Sequence, residues 1–259
     1  MHRWAAALAL VAAMGGTRAI ADVAAVDLQL VLAVDVSGSI DPRELRVQRN
    51  GYVQAFRDPQ VIRAIESGVH GRIAVTYLEW SSVDFQVVVV PWTILSDASS
   101  TLAFAGELAR APFSRDRSTS ISGGLLFARD LLQASAIESD RRTIDVSGDG
   151  PNNDGRAVAR TRDAIVAQGI VINGLPVLLD PTAMPIGLSL EDYYRACVIG
   201  GPGSFVIPIS ETREFETAIK RKLILEIAGL APKTILVAAP VGPVDCMVGE
   251  KMARPVAPR

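Results

Sequence analysis

Leu28-Gln29-Leu30-Val31-Leu32-Ala33-Val34-Asp35-Val36-Ser37-Gly38-Ser39 is the stretch on which the fold turns. Apart from Gln29 it is apolar as far as Val34, and a near-continuous apolar run of strand length suits a strand covered on both faces. At its end Asp35, Ser37 and Ser39 place oxygen-bearing side chains at i, i+2 and i+4, on one side of an extended segment. Gly38 lets the chain turn over whatever they hold. Carboxylate and hydroxyl oxygens are hard ligands, suited to Mg2+, Mn2+ or Ca2+ rather than to zinc or copper. Asp and Ser are equally at home as turn and cap residues at strand ends, so the trio alone leaves both readings open.

Working outward, further runs of strand length are Arg72–Trp80, Phe85–Trp92, Arg142–Ser147, Ile170–Leu175 and Ser204–Ile209. Helical stretches lie between them: Pro42–Phe56, Pro59–Glu66, Ala98–Arg110, Ile121–Ala134, Arg156–Gln168 and Thr212–Ile227. Asp41 is a candidate N-cap, with Pro42 at the first helical position. Phe215, Ile219, Leu223 and Ile227 give the last helix an apolar stripe. Only Ser81 to Asp84 separate the second and third strands, which favours an antiparallel hairpin. The order is that of an α/β fold with a mostly parallel, doubly wound sheet and one antiparallel strand. The expected division is one domain over 28–229 and a Pro-rich, extended tail over 230–259, in which Ile235–Ala239 could dock.

Two more segments bear on the trio. Arg117-Ser118-Thr119-Ser120-Ile121-Ser122-Gly123-Gly124-Leu125 places hydroxyls at a loop-to-helix junction, and Val146-Ser147-Gly148-Asp149-Gly150 places a carboxylate at the end of the fourth strand. In a doubly wound sheet, ligands bind at the carboxyl edge where strand order reverses. Asp35, Ser37, Ser39, Thr119 and Asp149, in this order and each at its element, resemble the metal-ion-dependent adhesion site of von Willebrand factor type A domains. The resemblance covers about Leu28 to Gly229. Tyr193-Tyr194-Arg195-Ala196-Cys197-Val198-Ile199-Gly200-Gly201-Pro202-Gly203 looks characteristic of a bacterial secreted branch of unknown function. The resemblance implies six strands in the order 3-2-1-4-5-6, strand 3 antiparallel, with helices on both faces. It also implies a bound Mg2+ (or Mn2+ or Ca2+) held by Ser37 and Ser39, by Thr119 directly or through water, and by Asp35 and Asp149. One coordination position would stay open for an acidic group of a protein or peptide partner. Asn152, Asn153 and Asp154, in the loop after Asp149, could line the rim and select the ligand. An EF-hand reading of that loop fails, because Gly150 and Thr161 stand where acids are needed.

The N-terminus reads as a secretory signal over 1–21: a short basic start with Arg3, an apolar run from Trp4 to Met14, and Ala19-Ile20-Ala21 as a small-x-small cleavage site. Eleven apolar residues are too few to span a bilayer, and no later run approaches a span. The expected location is therefore periplasmic or extracellular. Cleavage removes Arg3 and Arg18, so 26 Lys+Arg against 28 Asp+Glu becomes 24 against 28. A mildly acidic chain argues against a nucleic-acid partner. With 49% apolar residues the chain can build a core, which excludes a disordered polymer. Export permits a disulfide, and Cys197 and Cys246 are the two cysteines of the chain. Joined, they close a 49-residue loop worth roughly 4 kcal/mol in the chain-entropy model. Two free thiols are the alternative.

Enzyme readings are weaker. His70 sits on a Gly-flanked turn before the second strand, at the opposite edge from Ser37, where a solvated turn residue is expected and no Ser-His pairing can form. An aspartyl phosphatase would need a second acid where Ser37 stands. The expected function is a non-enzymatic, cation-dependent binding module. The rivals are a metal-dependent phosphate-ester hydrolase and a structural component of a cell-envelope assembly.

Overall fold

The computed structural model describes residues 25–179, 184–185, 187–230 and 243–253. The segment 1–21, expected to be a secretory signal, and the stretch Ile235–Ala239, expected to dock, lie outside these residues. Five strands form one sheet in the order β3-β2-β1-β4-β5. They are β1 (Leu28–Asp35), β2 (Ile73–Trp80), β3 (Gln86–Leu95), β4 (Arg142–Gly148) and β5 (Val171–Pro176). The apolar runs dictate this placement: β1 and β2 are buried along their whole length, whereas β3, at the edge, is mostly half-buried. β1 runs parallel to β2 from Leu28↔Ile73 to Asp35↔Trp80 and parallel to β4 from Gln29↔Arg142 to Val34↔Ser147. β2 and β3 form the expected antiparallel hairpin, and β4 and β5 are parallel.

Alternation along β1 divides the core. Leu28, Leu30, Leu32 and Val34 face α1 (Pro42–Arg57), α2 (Pro59–Glu66), α3 (Ala98–Arg110) and α7 (Phe215–Ala228). Val31 and Ala33 face α4 (Ile121–Ala134), α5 (Val158–Val166) and α6 (Leu190–Tyr193), the last continued by one π-helical turn over Tyr194–Val198. Asp41 caps α1 as expected: its Oδ1 accepts the Arg43 N–H at 2.6 Å, while the Asp41 N–H donates to Glu44 Oε2 at 3.1 Å, closing a capping box.

The expected sixth strand is not formed. Residues 204–209 lie beside β5, joined by isolated bridges at Gly174↔Val206 and Val177↔Ile209. The Gly174 N–H donates to Phe205 O at 3.0 Å and the Ile207 N–H to Gly174 O at 3.1 Å; two residues on, the Ile209 N–H donates to Pro176 O at 2.9 Å. The missing rung is the one that needs an N–H at position 176, where proline has none. The tail also differs from a wholly extended one. Residues 248–253 form a short helix, α8 (Val248–Ala253), and Val248 is buried against the α4/α6 side of the core.

Candidate metal centre

The chain leaves β1 for β2 on one side and returns through β4 on the other, so strand order reverses between β1 and β4. Asp35 closes β1 and Asp149 follows β4, so both carboxylates sit at this switch point. Asp35 and Ser37 are fully buried, Thr119 and Asp149 nearly so, and Ser39 is exposed. The Ser37 N–H donates to Asp35 Oδ1 at 2.7 Å, which bends the chain so that both hydroxyls come forward. Ser37 Oγ and Ser39 Oγ are 3.1 Å apart, and Ser39 Oγ donates to Asp149 Oδ1 at 3.0 Å. Ser39, Thr119 and Asp149 line one cavity of about 280 Å3.

Thr119 reaches this cavity through a network of loop contacts. Arg49 of α1 forms a buried ion pair with Glu79 of β2 and donates to the carbonyls of Ala111 and Pro112 at 2.6 and 3.0 Å. Further along, Ser81 Oγ donates to Ser118 O at 2.6 Å and the Ser120 N–H to Ser81 O at 2.7 Å. Asn153 then clamps Thr119 from both sides: its Oδ1 accepts the Thr119 N–H at 2.9 Å and its own N–H donates to Thr119 O at 2.9 Å. Gly124 lets α4 come down on the sheet, because a Cβ there would lie 2.8 Å from the Trp80 ring.

The three rim candidates turn out to differ. Asn153 lines the cavity. Asn152 is buried, and its Oδ1 accepts the Ser122 N–H at 2.9 Å. Asp154 accepts the Val83 N–H at 2.8 Å. The loop after β4 thus fastens the Thr119 junction to the Asp149 strand end. Sequence reasoning missed the support beneath. The Tyr193 hydroxyl accepts the Asn152 N–H at 3.1 Å, and the buried Tyr194 hydroxyl reaches under Gly148. A Cβ at Gly148 would lie 2.8 Å from that hydroxyl and 2.9 Å from Asp35 Oδ2. The Tyr193-to-Cys197 stretch was the available signal, but nothing in it says which loop it meets. Cys197 and Cys246 are joined, so the chain after the bridge is held beside the same loop.

The electrostatics suit a cation. Asp35 Oδ2 is buried with no hydrogen-bond partner, and no described Lys or Arg makes an ion pair with Asp35. Burial pushes the Asp35 carboxyl well above the usual range, and the nearby Asp149 charge pushes it further. A buried carboxylate beside a second one, with the Ser37 and Ser39 hydroxyls in the same chain of contacts, is a donor set that suits a hard divalent ion. Asp35, Ser37, Ser39, Thr119 and Asp149 therefore fit such a group.

A different cluster, Asp27, His70 and Asp140, could also hold a metal ion. It lies at the opposite edge of the sheet, before β1, β2 and β4. His70 is half-buried, with Nε2 3.3 Å from Asp140 Oδ2, rather than simply solvated. Asp27 Oδ1 accepts the His70 N–H at 2.9 Å, so the carboxylate already holds the turn before β2.

The sequence profile of DUF1194, described as a protein of unknown function, matches residues 25–231. The chain belongs to this family. No curated protein matches the sequence. Among solved structures, this DUF1194 chain is similar to proximal thread matrix protein 1 from the mussel byssus, at 15% identity and TM-score 0.55, covering 79% of this chain and 47% of that one. Another structure of that protein is described as having a zinc-occupied MIDAS motif. The chain is also similar to the pilus adhesin SpaC from Lactobacillus rhamnosus GG, at 15% identity and TM-score 0.57, covering 78% and 30% of the two chains. A von Willebrand factor type A protein from Catenulispora acidiphila matches at 11% identity and TM-score 0.55, with 78% and 43% covered. The DUF1194 chain spans less than half of each of these proteins. At such identities the shared property is the fold, which is of the von Willebrand factor type A kind.

Proposed function

We propose that this DUF1194 protein is an exported, non-enzymatic binding module that takes up an acidic group of a protein or peptide partner through a divalent cation. The observation that carries the reading is the convergence of Asp35, Ser37, Ser39 and Asp149 at the β1/β4 switch point, with Thr119 on the same cavity and Asp35 Oδ2 lacking a partner. Ser37, Ser39 and Thr119 would hold the ion through hydroxyl oxygens, and Asp35 and Asp149 would hold it directly or through water. Mg2+ is the ion of choice, with Mn2+ or Ca2+ as alternatives. Bound there, the cation supplies Lewis acidity that neutral hydroxyl ligands leave largely unquenched, and a partner carboxylate is the ligand that answers it. The zinc-occupied motif of the mussel protein and the adhesin role in the name of SpaC support the reading by analogy of fold. The Cys197–Cys246 bridge supports an oxidising, exported setting, and no described helix is long and apolar enough to cross a membrane. Among the described residues the one imidazole, His70, lies at the far edge of the sheet from Ser37 and does not serve it as a base.

A pull-down from a bacterial envelope extract tests the proposal. Wild type in Mg2+ should retain a partner that EDTA releases and that Ser37→Ala fails to hold. Retention indifferent to both EDTA and Ser37→Ala would end it. Turnover of phosphate esters in Mg2+, lost in Asp35→Asn, would replace it with the hydrolase reading.

A further inference from the structure

The lining of the cavity at the candidate metal centre has two components of different character. Ser39, Thr119 and Asp149 supply oxygen donors; Gly249, Met252 and Ala253 of α8 add a small apolar surface. Three contacts, all converging on the Asn152 loop, hold α8 there. The Cys197–Cys246 bridge ties its approach to the π-helical turn, whose neighbour Tyr193 contacts the Asn152 backbone. Asn152 Nδ2 donates to Glu250 Oε1 at 2.8 Å. Gly249 packs so closely that a Cβ would lie 2.1 Å from Asn152 O. Asp245 caps the start, accepting the Met247 N–H at 3.0 Å. A six-residue helix does not persist alone in water, so its position comes from these contacts. The methionine on its cavity side, Met252, is 51% exposed. An exposed methionine beside a polar site is an adaptable apolar surface.

We propose that α8 supplies the apolar part of the partner site, so that the partner's acidic residue is recognised together with an apolar neighbour seated against Met252 and Ala253. The proposal rests on the cation-binding reading above and adds the partner's chemistry: an acidic residue flanked by aliphatic side chains. The cation answers the carboxylate, and α8 answers the aliphatic flank. The disulfide and Asn152 keep the two parts at a fixed separation, so selectivity depends on the staple while metal binding does not.

Two peptides of equal charge serve as probes, acetyl-Leu-Asp-Leu-amide and acetyl-Gly-Asp-Gly-amide, titrated into the full chain in saturating Mg2+. Wild type should prefer the leucine peptide by about tenfold, the scale expected when an apolar side chain enters a formed pocket. Cys197→Ala/Cys246→Ala should abolish the preference and leave Mn2+ affinity within about twofold. Glu250→Ala, which keeps the bridge but removes the contact of α8 with Asn152 Nδ2, should weaken the preference and likewise leave Mn2+ affinity within about twofold. Equal affinity of wild type for both peptides, or a preference that survives both variants, overturns the proposal. So does Mn2+ binding with neither peptide retained. If the peptides bind only a chain ending at Ala253, the cleft belongs to the chain's own residues 254–259 and the proposal fails. Absence of Mn2+ binding in wild type would instead sink the cation-binding reading.

Discussion

Replacing Lys222 with Met removes the cation at the centre of a buried ionic cluster. Lys222 Nζ lies 2.9 Å from Asp145 Oδ1 and also pairs with Glu226 Oε1, which accepts the Asn173 Nδ2–H at 2.9 Å. Lys222 and Asp145 side chains are 1% exposed and Glu226 is closed off entirely, so water cannot take over from the ammonium. Breaking a buried pair by deleting one partner costs about 3–5 kcal/mol, against a total stability of roughly 5–15 kcal/mol for a domain. At about 2–4 °C per kcal/mol for a chain of this size, Lys222→Met should lower the Tm by roughly 6–20 °C. The loss should shrink when both acids are neutralised as well, in Lys222→Met/Asp145→Asn/Glu226→Gln, because no uncompensated charge then remains. The pH dependence carries a second signature. Burial, with the Glu226 charge behind it and Lys222 opposing, pushes Asp145 up to about 7. A carboxyl raised on folding stabilises the fold fully below its unfolded value near 4, and that contribution is lost as pH rises through about 7. Wild type should therefore lose stability between about pH 4 and 7 at this site, and Asp145→Asn should flatten the slope. Equilibrium urea unfolding across pH measures all of this. A Lys222→Met protein within about 1 kcal/mol of wild type at pH 7, with an unchanged slope, would refute the reasoning.

Three other outcomes are expected. Removing the Cys197–Cys246 bridge deletes a crosslink across 49 residues, which sets a ceiling of about 4 kcal/mol on the loss; most of the change should appear as rapid hydrogen exchange over 247–253. Asn153→Ala takes away the side chain that fixes Thr119, and Mn2+ affinity by calorimetry should fall about 10–100-fold with little change in fold by circular dichroism. His70→Ala should leave that affinity unchanged, since His70 sits at the far edge of the sheet; a matched loss would mean that the two edges are coupled.

The parts of the fold readable from sequence are those fixed locally. The near-continuous apolar run from Leu28 marked β1 as a strand covered on both faces, the short Ser81–Asp84 link specified the hairpin, and Asp41-Pro42 marked the start of α1 to the residue, whereas the alternating pattern of Arg72–Trp80 did not show that β2 is buried along its whole length. The sixth strand was misjudged because Ser204–Ile209 has the right composition, while the interruption lies on its neighbour, at Pro176. The tail helix was invisible for a related reason. Six residues in a Pro-rich stretch have no helical signal of their own, and what holds them is a disulfide and a contact with Asn152 nearly a hundred positions earlier. The site divides in the same way. Asp35, Ser37, Ser39, Thr119 and Asp149 were singled out by the resemblance to the adhesion-site motif, their positions at strand ends and a helix start being compatible with plain turn and cap roles; Asp35, Ser37, Ser39 and Asp149 form one chain of contacts, and Thr119 shares a cavity with Ser39 and Asp149. The clamp by Asn153 and the support from Tyr193 and Tyr194 depend on loop packing, which no spacing rule encodes.

The most direct measurement is calorimetric titration of Mg2+ and Mn2+ into the metal-stripped protein, beside Asp35→Asn and Ser37→Ala. One ion should bind wild type at the β1/β4 crevice, and each substitution should weaken or abolish that binding while the fold persists. Wild type that takes up no divalent ion, or variants that bind it as tightly as wild type, would contradict a cation at this centre.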